Sequence, residues 1–440
     1  MIGQLLLSLS ILIILHEMGH FFPARWFNTR VEKFYLFFDP WFSLFKFKKG
    51  ETEYGIGWLP LGGYVKISGM IDESLDTEQM KGDPQPWEFR SKPAWQRLII
   101  MLGGVTVNFI LGFTLFALVL WGWGEEYLPN ASVKDGIYAD SLGMQLGLQS
   151  GDKVLAIGNK PFVEFNERQV VREIVINNAP SLKIERAGQE MTLRVPNGFA
   201  GVLASHDNKN KLLFSPRFPF KIQEVAKGTP AAKAGIKPDD QIIGFNDIET
   251  PFYQEFRRLT QQNKGRSIQA KVLRGQDTLR LPLTISKEGT IGVLAYPAEL
   301  FFKTERREYS LAQAFPAGVR RGWTLLSDNV KAFGQIFRGK IKASESLGGF
   351  GSIAKMYGNQ WRWEHFWTVT AILSLILAFM NLLPIPALDG GHVMFLIYEV
   401  VTGRKPSDKF MEIATTVGFV LILALLIYAN GLDIFRSFFK

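Results

Sequence analysis

The chain has 440 residues, 47% of them apolar and 21% charged, enough for two or three domains and unlike a disordered or low-complexity sequence. Fifty basic residues against 41 acidic ones give a formal charge of +9. No basic cluster of the kind that grips nucleic acid accompanies it, so the excess fits cytoplasmic-side loops beside a bilayer and no nucleic-acid partner is expected. Cysteine is absent, which excludes disulfides, thiol catalysis and thiolate metal sites; any metal must be held by nitrogen and oxygen.

Windows of about 20 residues, the length that spans the hydrocarbon of a bilayer, pick out Ile2 to Phe22, Leu98 to Trp123, Phe366 to Leu388 and Ile413 to Ala429. The first lacks a basic leader and a small-residue cleavage site, and it carries His16, Glu17 and His20, so it reads as a retained transmembrane helix. Arg25, Arg30, Lys33, Lys46, Lys48 and Lys49 follow that helix and no basic residue precedes it. The N-terminus is therefore expected outside, residues 23 to 97 in the cytoplasm, 124 to about 365 outside, the Arg404/Lys405/Lys409 loop inside and the C-terminus outside.

In the cytoplasmic stretch, Phe45 to Lys48 alternate, an Asp39-Pro40 turn precedes them, and Tyr54 to Leu59 lead into Pro60-Leu-Gly-Gly63; short strands joined by glycine turns are predicted. Further on, Gly147 to Ile157 and Gly235 to Phe245 resemble each other at a fixed offset. In each, a short small-residue helix (Ser141 to Leu146; Pro230 to Ala234) ends at a glycine, and a polar turn with Asp152 or Asp240 leads into an apolar strand. The pattern resembles the core of PDZ domains, whose groove takes an extended peptide as an added strand. Trp323, Leu326, Val330, Phe333 and Phe337 then mark an amphipathic helix, lying on the membrane surface or packed on the repeats.

His16-Glu-Met-Gly-His20 fits H-E-x-x-H: on a helix two histidines four apart project from one face and can hold one zinc, with Glu17 within reach of a metal-bound water. Ionisable residues inside a membrane span are costly and usually functional, which weighs against two merely structural histidines. A catalytic zinc usually takes three protein ligands. The strongest partner is Asp389 in Asn381-Leu-Leu-Pro-Ile-Pro-Ala-Leu-Asp-Gly-Gly-His392, at the end of the third hydrophobic run. Two prolines and a glycine pair break a helix there, and broken backbone at membrane depth is tolerated only inside protein or along a cavity. Asp389 as a helix cap is the blander alternative; His392 is a rival ligand, better suited to supporting one, and His206 and His365 have nothing ligand-like beside them.

Through His16-Glu17-x-x-His20, Pro60-Leu-Gly-Gly-Tyr-Val-Lys66, Asn108, the two PDZ-like repeats and Asn381-x-x-Pro-x-Pro-x-x-Asp389-Gly, nearly the whole chain resembles the bacterial RseP-type site-2 proteases, which are intramembrane zinc metalloproteases. The resemblance implies one zinc on His16, His20 and Asp389, Glu17 as general base, and substrate contacts from Asn381, Pro384, Gly63, Tyr64, Val65 and Asn108. It also implies cytoplasmic strands that dip into the membrane and pair with substrate. Two departures stand out. The family's Gly-Pro-x-x-Asn reads Gly104-Val105-x-x-Asn108 here, and its Gly-Gly-Pro-x-Gly-Ile reads Gly348-Gly349-Phe350-Gly351-Ser352-Ile353, which bears on helix bending and substrate gating.

The expected architecture is a polytopic α-helical membrane protein of four spans with a membrane-associated β-hairpin region and two extracytoplasmic PDZ-like α/β domains. Its parts are a first membrane half (1–125), the two PDZ-like domains (126–212 and 213–300), an amphipathic helical linker (301–365) and a second membrane half (366–440). The expected function is zinc-dependent cleavage of the transmembrane segment of single-span proteins in the bacterial inner membrane. Substrates would be anti-sigma factors or remnant signal peptides, already trimmed outside. The alternatives are a catalytically silent membrane-anchored PDZ scaffold, against which an intact Glu17 speaks, and a metal transporter, for which one His pair and one Asp do not line a path. Substrate identity, oligomeric state and the open or closed arrangement of the PDZ-like pair are not legible in the residues.

Overall fold

A computed structural model describes residues 1–60, 62–70, 82–208, 211–342 and 348–439. Leu61, within the Pro60 to Lys66 motif, lies outside them. Among the described residues, four helices are long and apolar enough to cross a membrane: Ile2–Trp26, Ala94–Trp123, Trp363–Asn381 and Lys409–Arg436. The chain divides into two compact units, residues 1–124 with 308–330 and 347–440, and residues 125–307 with 331–346.

In the first unit, helix α1 (Ile2–Trp26) is followed by strands β1 (Val31–Leu36), β2 (Phe38–Lys49), β3 (Thr52–Leu59) and β4 (Tyr64–Ile67), then helix α2 (Ala94–Trp123). The sheet order is β2-β3-β1-β4, which leaves β4 an edge strand, antiparallel to β1. Asp39-Pro40 does not form the predicted turn. Both residues lie inside β2, where the register with β3 shifts between Phe38 and Ser43 and Trp41 takes φ 73°; a bulge absorbs the proline's missing donor.

The later helices are α3 (Leu311–Phe337), α4 (Phe350–Met356), α5 (Trp363–Asn381), α6 (Asp389–Thr402) and α7 (Asp408–Phe439). Helix α2 is the hub of the unit and packs against α1, α5 and α6. It runs unbroken through buried Val105, where the family's proline would interrupt the hydrogen-bond ladder. The third hydrophobic run is not one helix to Leu388. Pro384 and Pro386 lack amide hydrogens and push their predecessors out of the helical region, so α5 stops at Asn381 and Asp389 opens a new helix instead of ending the old one. The other spans start or end a few residues beyond the predicted limits, since polar residues at helix ends carry no apolar signal.

Of the predicted apolar stripe on α3 only part is packed. Trp323, Val330 and Phe337 are exposed, whereas Ala314 and Leu326 are buried and Leu326 joins Leu115, Phe116 and Leu375 in one cluster. Small residues let the helix backbones approach, which outweighs bulk when a helix docks on membrane helices. At α4, the Phe350 amide donates to Asn430 Oδ1 at 3.1 Å, and Asp433 accepts from the Gly349 and Ser352 amides at 3.0 and 2.7 Å. The free amide N–H groups that begin this short helix are thus capped by α7, and Phe350 supplies an N–H that the family's proline would lack.

The second unit holds the duplication. Lys153–Ile157 and Gln241–Phe245 are corresponding strands, each paired antiparallel with a later strand (Ser181–Arg186; Ser267–Arg274). In the first copy Arg186 donates to both Asp152 oxygens at 2.8 Å and to the Gly147 carbonyl at 2.8 Å. In the second, Arg274 donates to Asp240 at 2.8 and 2.7 Å and to the Gly235 carbonyl at 2.8 Å. Each copy therefore fastens its helix-ending glycine, polar turn and strand with one buried carboxylate and one bidentate arginine. Separate apolar cores lie under the two copies, the first closed by Ile341 from the segment after α3.

Candidate metal centre

On α1, His16, Glu17 and His20 are 8%, 9% and 7% exposed. The helical spacing puts both imidazoles on one face, and the proline break lets Asp389 reach them from the start of α6. His16 Nε2 lies 3.3 Å from His20 Nε2 and 3.3 Å from Asp389 Oδ2, and His20 Nε2 lies 3.4 Å from the same oxygen. The three atoms form a nearly equilateral triangle. With zinc-nitrogen bonds of about 2.0–2.1 Å, the edge of a tetrahedral zinc site is about 3.3–3.4 Å.

Proton positions sharpen the fit. His20 Nδ1 sits 2.9 Å from the Ile100 carbonyl, which can only accept, so the ring donates there and turns the lone pair of Nε2 toward Asp389. Asp389 Oδ2 is itself buried without a hydrogen-bond partner. The His20 lone pair and the Asp389 oxygen thus converge with no proton between them, which a cation relieves. Among the described residues, His16, His20 and Asp389 are the one group of three such side chains able to share a metal ion.

Space for the rings comes from glycines on both helices. A Cβ on Gly104 of α2 would stand 2.7 Å from His16 Cε1 and collide with His20 Nε2. One on Gly19 would stand 2.5 Å from the Gly103 carbonyl oxygen, so α1 and α2 cross in backbone contact. The adjacent Gly103-Gly104 pair in an apolar span was the available signal.

Of the other predicted site residues, Asn108 and Asn381 join the cluster: their side-chain nitrogens lie 3.1 Å from His16 Nδ1 and 3.3 Å from His16 Nε2. The Val65 amide of β4 donates to the Glu17 carboxylate. Gly63 packs against Ile13 of α1. Tyr64 is spent within the sheet, its hydroxyl donating to Asp39 Oδ1 at 2.8 Å and its ring stacked between Tyr35 and Phe38. Pro384 is exposed in the break between α5 and α6. His392 lines a small cavity with Arg97 and Glu399 and stays out of the triangle, and His365 meets the Met356 carbonyl at 2.6 Å.

Helices long and apolar enough to cross a membrane thus surround a His-His-Asp triangle able to hold one metal ion, with a glutamate beside it, the donor set of a candidate metallohydrolase. The chain matches Peptidase family M50 over residues 4–425 and belongs to that family; it is a zinc metalloprotease. It is similar to the regulator of sigma E protease of Haemophilus influenzae (26% identical over 99% of this chain and 98% of that one) and to the regulator of sigma-E protease RseP of Salmonella typhimurium (28%, 99% and 98%). A Neisseria meningitidis protein with zinc metalloprotease in its name is 29% identical over 98% of this chain and 97% of its own.

Proposed function

We propose that this protein is an intramembrane endopeptidase of the site-2 type, cutting the membrane segment of single-span proteins with His16, His20 and Asp389 as zinc ligands and Glu17 as base. The observation that carries the reading is the convergence of three metal-ligand atoms beside Glu17 among membrane-crossing helices. Zinc, when bound, supplies Lewis-acid polarisation of a peptide carbonyl and lowers the pKa of water to about 7. Glu17 accepts the proton of the attacking water and returns it to the departing amine. Asn381, beside His16, holds the scissile region.

A peptide bond within a helix is shielded by its own hydrogen bonds, so substrate must unwind. Edge strand β4 meets that need: its Val65 amide faces Glu17, and a substrate strand added along it would lie extended beside the metal centre. The two repeats (126–212 and 213–300) act as extracytoplasmic PDZ-like domains that screen out substrates whose outside domain is untrimmed. The names of the Haemophilus and Salmonella relatives, regulators of sigma E, favour an anti-sigma factor as substrate; the basic residues after the first and third spans favour an inner-membrane orientation with both termini outside. A silent scaffold would have no use for a carboxylate at Glu17. Mass spectrometry of membrane peptides accumulating in cells that carry Glu17→Gln tests the proposal: trapped single-span fragments support it, and an unchanged peptide population refutes it.

A further inference from the structure

Asn108 is fully buried on α2, and its side-chain nitrogen faces His16 Nδ1 while its oxygen, Oδ1, is buried without a partner. With the nitrogen toward the ring, Nδ1 must accept, and a neutral imidazole then carries its one proton on Nε2. Nε2 is the atom that faces Asp389 Oδ2, His20 Nε2 and, at 3.3 Å, the Asn381 side-chain nitrogen, where ligation of zinc demands a lone pair. The two demands conflict. Half a turn of the amide, whose two ends are nearly isosteric, resolves the conflict: Oδ1 gains a donor in His16 Nδ1–H, Nε2 is freed for the metal, and the NH2 group takes the place where Oδ1 stood.

The neighbouring ligand already has this arrangement, since His20 Nδ1 donates to the Ile100 carbonyl. Ile100, Gly104 and Asn108 follow one another at intervals of four on α2. One face of that helix thus offers an acceptor for His20, a gap for both rings, and an acceptor for His16. The Asn108 carbonyl on the main chain is itself held by Ser374 Oγ at 2.7 Å, which fixes the residue from behind.

We propose that Asn108 is a positioning residue of the metal centre: its carboxamide oxygen accepts from His16 Nδ1 and so sets the tautomer that aims the His16 lone pair at zinc. This replaces the substrate contact expected for Asn108, and it rests on the proposed assignment of His16, His20 and Asp389 as ligands.

Zinc affinity of the full-length, detergent-solubilised protein, measured by chelator competition, tests it. Asn108→Leu should weaken zinc binding by about 10- to 100-fold. Asn108→Asp, which can accept but not donate, should restore it to within a few-fold of the parent. Failure of Asp to rescue, or unchanged zinc affinity in Asn108→Leu together with a raised KM, would overturn the proposal. His16→Ala is the control for the underlying assignment: zinc retained there sinks the ligand set itself, a different failure. Nitrogen-15 NMR of the zinc-free protein gives a second readout that needs no variant to fold. His16 should be protonated at Nδ1, and a ring protonated at Nε2 contradicts the proposal.

Discussion

At Glu17 the functional claim turns on one proton. Glutamine keeps the shape and can still accept from the Val65 amide, but it cannot take a proton from water, so Glu17→Gln should bind zinc normally and lose about 100- to 10,000-fold in turnover. Metal analysis alongside a peptidase assay separates the two; normal turnover would remove Glu17 from the reaction. Asp389→Ala takes away the oxygen that both histidine nitrogens face, so zinc content should fall together with activity. Full zinc occupancy in an inactive Asp389→Ala protein would move Asp389 from ligand to substrate contact.

Among the elements, the crossing of α1 and α2 carries the most testable geometry. Gly104→Val places two methyl groups where the imidazoles stand, while a branched apolar residue suits a membrane helix well. The variant should insert and keep its helical circular dichroism yet lose zinc; full zinc content would show that α2 stands farther from the rings. In the second repeat, burial alone would raise the Asp240 pKa. The hydrogen bonds from the Arg274 guanidinium and the Lys237 amide outweigh it and hold the carboxyl below its ordinary value. Its contribution to stability is thus complete above the unfolded carboxylate pKa, about 4, and is lost as pH falls through the lower folded value. Arg274→Ala leaves a buried charge unpaired and should cost about 3 kcal/mol, read as a lower urea midpoint for this unit at pH 7. Parent and variant should converge in acid, and a constant difference down to pH 2 would contradict the ion-pair account.

For the whole molecule, filtering and cleavage should be separable. All the proposed ligands lie in the first unit, so deleting Ala131 to Tyr296 should leave zinc binding intact and let the enzyme cut a membrane substrate that still carries a bulky outside domain. Ile336 and Ile341 pack into the first repeat's core and would be stranded by that deletion, so both should be made polar in the same protein. Cleavage of trimmed and untrimmed substrates by the two enzymes decides the matter; refusal of the untrimmed form by the truncated enzyme would place the exclusion within the membrane portion.

Local pattern was enough to read the four apolar spans, the strands after the first helix, the repeated glycine-aspartate-strand segments and the histidine pair, because each is written in neighbouring residues at helix or strand spacing. The recurrence of Arg186 and Arg274 at the repeat offset was also present in the residues, but its meaning needed the carboxylates they clasp. Tertiary structure alone decided the rest. The prolines announced the break in the third apolar run, but that Asp389 then reaches both histidines of α1 is a contact between distant segments. That Asn108 meets His16 rather than open space depends on a contact spanning 92 positions in the chain. Which stripe residues of α3 pack and which stay exposed was also left to the tertiary structure, because close backbone approach, and not bulk alone, decides contact among membrane helices. Residues far apart in sequence carry no spacing signal for one another, and beyond the local His16-Glu17-His20 set the candidate metal centre is assembled from such contacts.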